Sequence, residues 1–310
     1  MKAGDPAGKA SEAMKRTFGE KVFNYLNLIF LFLFSIVLLI PVIYILKQSV
    51  DVGIATSNIS LYPTEFSYVY YKMVLTDKGI YGPLMNTVII TAVGTLLAVS
   101  VNAAAAYPMS RADYKPNKFL VYYIVIVPML FSGGLVPSFL LMRGLGLLNT
   151  LAVCILPAVA SGWNIVLIRN FYKGIPESLT EAAKIDGAGE FYIFGHIILP
   201  LSKPVLAAIA LFTGVGYWTS FTPSLMYNSD PTKYTFAVKL REMIAVQEDM
   251  SRQFEAMMQS MSMSASTGQT LSNEGLSAAM MIISIVPIIV VYPFLQKHFA
   301  AGLMAGSVKG

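Results

Sequence analysis

The residues best placed to do chemistry lie in one polar island, residues 174–200, reading GIPESLTEAAKIDGAGEFYIFGHIILP between two long apolar runs. A carboxylate at Glu181 followed by the small pair Ala182 and Ala183 suits docking: the alanines let another protein approach closely, and the glutamate offers it one charge to pair. Pro176 fits a first helical turn, where its missing N–H is not needed, and Glu177 beside it favours the positive helix end. Ile175, Leu179, Ala182 and Ala183 then fall on one helical face, and Gly187 can stop the helix. After the turn, Phe191, Phe194, Ile197 and Ile198 make a second apolar face, closed by Pro200. The pattern predicts a surface helix-turn-helix built to dock.

A second set of polar and aromatic residues lies inside apolar segments: Asn86, Asn102, Trp163, Asn164, Tyr217, Trp218 and Thr219. Sugar rings pack their C–H faces on aromatic rings and amides hydrogen-bond hydroxyls, so Trp163/Asn164 and Tyr217/Trp218 suit a carbohydrate path. The same residues also suit interfacial anchoring and bonds between helices, and both readings stay open. There is no Ser/His/Asp set, no catalytic carboxylate pair and no metal-ligand cluster. Nor is there a phosphate-cradling G-x-x-x-x-G-K-[ST], so ATP is not bound here. No ionisable residue sits mid-span, where ion-coupled carriers keep them. The chain therefore reads as not an enzyme, without a cofactor of its own. Its energy must enter through another subunit, and the island is the visible port.

The elements that carry these residues are membrane spans. Hydrophobic residues make up 55% of the chain and charged ones 13%, with mean hydropathy +0.63. A soluble domain carries about 25% charged residues, so this is a membrane protein. Two histidines and one cysteine, Cys154, exclude a disulfide framework, and a net charge of +5 without a basic block gives no reason to read nucleic-acid binding. Charge-free intervals place six helices near 25–46, 86–108, 119–141, 148–170, 203–223 and 276–296. Glycines and Pro137 in FSGGLVP should loosen the third.

Lys and Arg set the orientation. With the N-terminus inside, cytoplasmic pieces hold 14 of 22 basic residues, including five before the first span. This makes residues 1–24 a cytoplasmic segment, 25–299 the transmembrane domain, 171–202 a cytoplasmic loop, 224–275 an outer loop and 300–310 a cytoplasmic tail. The apolar run after the leader is too long for a signal peptide and should stay attached. Residues around Tyr62, Phe66, Tyr70 and Val74 predict an interfacial helix on the outer leaflet. The stretch 262–273, rich in Ser, Met and Thr, should be flexible.

The residues Glu181-Ala182-Ala183, Gly187, Ile197, Leu199 and Pro200 also reproduce EAA-x3-G-x9-I-x-L-P without a gap. This resembles the coupling loop of the membrane subunits of binding-protein-dependent ABC importers. AYPMSR at 106–111 is similar to the AYxxSR that closes the second span of carbohydrate permeases. FSGGLVPSFLLMRGLGLLNT at 131–150 looks like the LplC/YtcP-like branch of that family, and the ending YPFLQKHFAAGLMAGSVKG resembles its tail. The resemblance implies an all-α type I ABC importer permease fold of six transmembrane helices with a cytoplasmic coupling helix. It implies ATPase contacts by Glu181, Ala182, Ala183, Asp186, Gly187, Leu199 and Pro200, and by Val308, Lys309 and Gly310 of the tail. It further implies a second homologous permease, two ABC ATPase subunits that bind ATP and Mg, and an extracytoplasmic solute-binding lipoprotein. The cargo would be a carbohydrate, an oligosaccharide in this branch, carried across a bacterial cell membrane; an amino-acid or peptide permease is the alternative.

Overall fold

The computed structural model describes residues 18–52, 62–111, 113–114, 119–131, 133–245 and 273–307. These residues are helical, apart from loops and one isolated antiparallel bridge between Asp51 and Phe66. The first helix, α1 (Phe18–Val50), is exposed along nearly its whole apolar length and touches the rest only near its end. There Lys47 pairs with Asp51 at 2.7 Å, and the Asp51 carboxylate also accepts from the Thr64 and Glu65 amides.

Of the segment read as an interfacial helix, Val69–Thr76 is helical (α2), while Tyr62 and Phe66 lie in the loop before it. Tyr70 and Val74 are buried against Phe236, Ala279 and Met280, leaving Tyr62, Phe66 and Tyr68 exposed.

The centre of the bundle is α3 (Lys78–Ser110), started by Asp77, whose side chain caps the Gly79 amide at 2.8 Å. Its buried face is small along the middle, at Gly94, Ala98, Ala103 and Ala106, and larger toward the ends, at Ile80, Ile90 and Met109. A Cβ on Gly94 would lie 2.8 Å from the Tyr217 ring, so glycine is what permits that approach.

The predicted span 119–141 is not one helix. A π-helical stretch, Leu120–Ile126, runs into Val127–Leu130, the chain extends at Phe131, and α4 (Leu135–Gly144) starts after Gly134 at φ 82°. Pro128 supplies no N–H to the ladder and Gly134 takes a backbone conformation that other residues resist, so the break falls before Pro137.

The span predicted at 148–170 is likewise bent. Ala152–Ile155 and Leu156–Ala158 meet α5 (Gly162–Lys173) at 48°. Asn102, fully buried on α3, fills this break: its Nδ2 donates to Val159 O at 2.8 Å and its Oδ1 accepts from Ser161 N at 2.9 Å. One amide thus satisfies two backbone groups at the interruption, as hydrocarbon demands.

Beyond α5 come the island helix α6 (Glu177–Ile185), the segment Glu190–Leu201, and α7 (Lys203–Thr219). The last two meet at 76°. The final helix, α8 (Asn273–Ser307), packs on α1 and α7. Among the described residues, three helices are long and apolar enough to cross a membrane, or up to five if each bent pair is one span. α8 carries the predicted tail on as helix to Ser307; Val308, Lys309 and Gly310 lie outside the described residues, as does 246–272 of the predicted outer loop.

Candidate docking loop and membrane cleft

The local sequence makes α6 and ends it. Pro176 is the N-cap (φ −56°, ψ 128°), one position before the turn predicted for it, with Glu177 in the first turn. At the other end the Gly187 amide donates to Lys184 O at 3.0 Å and the Ala188 amide to Ala183 O at 2.9 Å. This pair of bonds is the Schellman closure, and Gly187 sits at φ 82°, the left-handed conformation it requires.

The structure divides the predicted apolar face. Ala183 is half-buried against the cluster of Ala106, Met109, Ile193 and Ile198, while Glu181, Ala182, Asp186 and Leu179 are exposed. Ile185 is 86% and Phe191 94% exposed, so Phe191 leaves the second face as well. In that second arm Ile193 and Ile198 are buried and Phe194 and Ile197 half-buried, with π-helical turns at Phe194–Ile198 shifting the register. Leu199 is half-buried and Pro200 exposed, but the helix runs through Pro200 to Leu201 and bends at Ser202. The π turn before Pro200 is the local adjustment to its missing N–H.

Polar contacts fix this loop to the end of α3. Arg111 Nη1 donates to Thr180 Oγ1 at 3.0 Å, and Thr180 is buried. Tyr107 OH donates to Glu190 Oε2 at 2.5 Å, and Lys184 Nζ pairs with Glu190 Oε1 at 2.9 Å and Asp113 Oδ2 at 3.0 Å. Asp113 also faces Arg111 Nε at 3.4 Å. The Tyr107 hydroxyl and then Lys184 hold the Glu190 carboxyl below its usual range, and Lys184 and Arg111 do the same for Asp113. Glu190 and Asp113 in turn raise the Lys184 ammonium, so all three are charged at neutral pH. None of Tyr107, Asp113, Lys184 or Glu190 stood out as a site from sequence spacing; the AYPMSR stretch at 106–111 was the available signal.

The residues predicted for a substrate path separate. Asn164 and Tyr217 line one cleft of about 490 Å³, with Ser161, Thr213, Gly216 and Ser220. Asn164 Nδ2 donates to Thr213 Oγ1 at 3.3 Å; the Tyr217 hydroxyl is used by Ile155 O at 3.0 Å. Trp163 is exposed and is not in the lining. Trp218 points elsewhere, donating from Nε1 to Ser284 O on α8 at 2.8 Å and lining an apolar cavity with Pro287. Asn86 donates its amide to Thr232 O and Tyr234 O, and Thr219 donates its hydroxyl to Val215 O. Asn86 and Asn102 are therefore structural ties.

Comparison with known proteins gives this arrangement its place. Residues 6–304 match the family described as binding-protein-dependent transport system inner membrane component. The chain is 34% identical over 293 residues to the polygalacturonan/rhamnogalacturonan transport system permease protein YtcP of Bacillus subtilis, covering 94% of this chain and 99% of that one. It is 35% identical over 304 residues to Protein LplC of the same organism, covering 96% and 98%. Among solved structures, a chain of a bacterial ABC transporter involved in the import of the acidic polysaccharide alginate superposes with TM-score 0.78 at 28% identity, covering 92% of this chain and 99% of that chain. The fold is that of a type I ABC importer permease, all-α and built from several apolar helices. The chain belongs to the family of binding-protein-dependent transport system inner membrane components.

Proposed function

We propose that the chain is one of two homologous permease subunits of an ATP-driven importer that takes up a carbohydrate, an oligosaccharide, across a bacterial cell membrane. An extracytoplasmic binding lipoprotein delivers the cargo. Two ATPase subunits bind ATP and Mg on the cytoplasmic side, where both termini of this chain also lie. The observation that carries this reading is α6: a short capped helix anchored on its inner side, presenting Glu181 and Ala182 outward beside the exposed Ile185. Such a surface offers one charge, a small step and an apolar anchor to a cleft on the ATPase. Asp186, Gly187, Leu199 and Pro200 shape the loop around it, and Val308, Lys309 and Gly310 would add a tail contact.

The cleft beside Asn164 supports a sugar as cargo. Its lining offers an amide, hydroxyls from Ser161, Thr213 and Ser220 and the exposed Phe212 ring, with no charged side chain among the described residues. Hydroxyl-rich rings with apolar faces match that chemistry. The test is uptake into proteoliposomes by the complex of both permeases, ATPase and binding protein, comparing labelled oligosaccharides with amino acids and peptides. ATP-dependent uptake of an oligosaccharide alone supports the proposal; uptake of amino acids or peptides alone overturns the cargo.

A further inference from the structure

We infer that Tyr107, Arg111, Thr180, Lys184 and Glu190 form a rigid two-point link that locks the orientation of α6 on α3, so that a push on the docking helix moves α3 with it. This rests on the coupling reading above. Tyr107 lies in the last turn of α3 and Arg111 is the residue that caps it, while Thr180 and Lys184 stand four residues apart on α6 and so share one helical face. Arg111 meets Thr180 directly, and Tyr107 meets Lys184 through Glu190. Asp113 ties Lys184 back to Arg111. The contacts therefore close a ring with two rungs spaced about one helical turn, roughly 5–6 Å.

A single contact between helices is a pivot; two contacts a turn apart fix rotation about it. Glu190 reaches α6 only because Gly187 turns the chain back, so the helix stop and the link are one device. Packing adds to it, since Ala183 and Ile193 sit in the same cluster as Ala106 and Met109. The outward face of α6 is left free of the ring: Glu181 and Ala182 contribute nothing to it. These five are positioning residues that act through α6, separate from those that face the ATPase.

The test uses the full complex in nanodiscs, with spin labels on cysteines placed at the exposed Ser100 of α3 and Ser178 of α6. The distance is read without nucleotide and after trapping with ATP and vanadate. The link predicts one sharp distance, the same in both states. Lys184→Met, and Tyr107→Phe combined with Thr180→Val, should lose that single distance for a broad distribution that shifts on trapping. Lys184→Arg, which keeps donors for both carboxylates, should restore the sharp distance. A wild-type distance that changes on trapping, or variants as sharp as wild type with the ATPase bound, overturns the link. An ATPase that fails to copurify with the unaltered complex overturns the coupling reading itself and the transmission role with it.

Discussion

The two ends of the polar chemistry in this molecule are built on different rules. At the docking loop, contacts are ionic and partly wet: Lys184, Asp113 and Glu190 are each between a third and about half exposed. Within the bundle they are neutral and buried, carried by Asn102, Tyr217 and the small face of α3. Charge pairs in contact with water are individually weak, about 0–1 kcal/mol, so the loop depends on several acting together. A buried amide has no water to fall back on, so one residue can decide whether the bent span holds. The loop is thus held by several weak contacts acting jointly, the bundle by a few that are costly to lose.

The sharpest way to break that contrast is Asn102→Leu. It leaves Val159 O and Ser161 N without their partner. Each orphaned group costs about 1–3 kcal/mol, so the variant should lose most folded protein on mild heating in detergent. Heat resistance equal to wild type would show that the bend is held by packing alone. Gly94→Val comes next, because its side chain meets the Tyr217 ring. Overpacking costs about 1–3 kcal/mol, read as a lower melting temperature of the purified complex.

Trp218→Ala and Asn164→Ala sharpen the comparison inside the bundle. The first should lower stability by removing a ring packed against α8, the second should lower uptake several-fold while leaving complex yield near wild type. Equal loss of yield in both would remove Asn164 from the path.

The smallest effect concerns pH. Asp113 and Glu190 have lowered pKa values, so their contribution is complete above the ordinary carboxylate range and is lost as pH falls through the depressed values. Lys184 is raised, so its contribution is complete below the ordinary lysine value and is lost only as pH rises through the raised one. Between about pH 5 and about pH 10 the attachment of α6 should be constant. The spin-label distance between α3 and α6, taken across that window, should not move; a change near neutrality would contradict the pairing.

Helix α6 was legible because its signals are local. Pro176, Glu177 and Gly187 fix the start and stop of α6 within a few residues, and the left-handed turn at Gly187 needs nothing remote. The ring behind it was not, since Tyr107 and Glu190 are 83 positions apart and Lys184 and Asp113 are 71 apart. The fate of Phe191 was misread because periodicity assumes 3.6 residues per turn, and the π turns at Phe194–Ile198 break that period. The path residues were only half legible: a tryptophan or asparagine in a span looks the same in sequence whether it faces a cleft, as Asn164 does, or a neighbouring helix, as Trp218 and Asn102 do.

The central claim is that α6 carries the ATPase's work into the permease, and ATP hydrolysis by the reconstituted complex, with and without loaded binding protein, tests it most directly. Glu181→Lys removes the outward charge and adds repulsion, and Gly187→Val strains the φ 82° closure. An interfacial charge pair that loses one partner costs about 2–5 kcal/mol. Both variants should insert in the membrane yet abolish stimulation by the loaded binding protein, with Glu181→Ala milder than the reversal. Stimulated hydrolysis by both, with the ATPase still bound, would contradict the account.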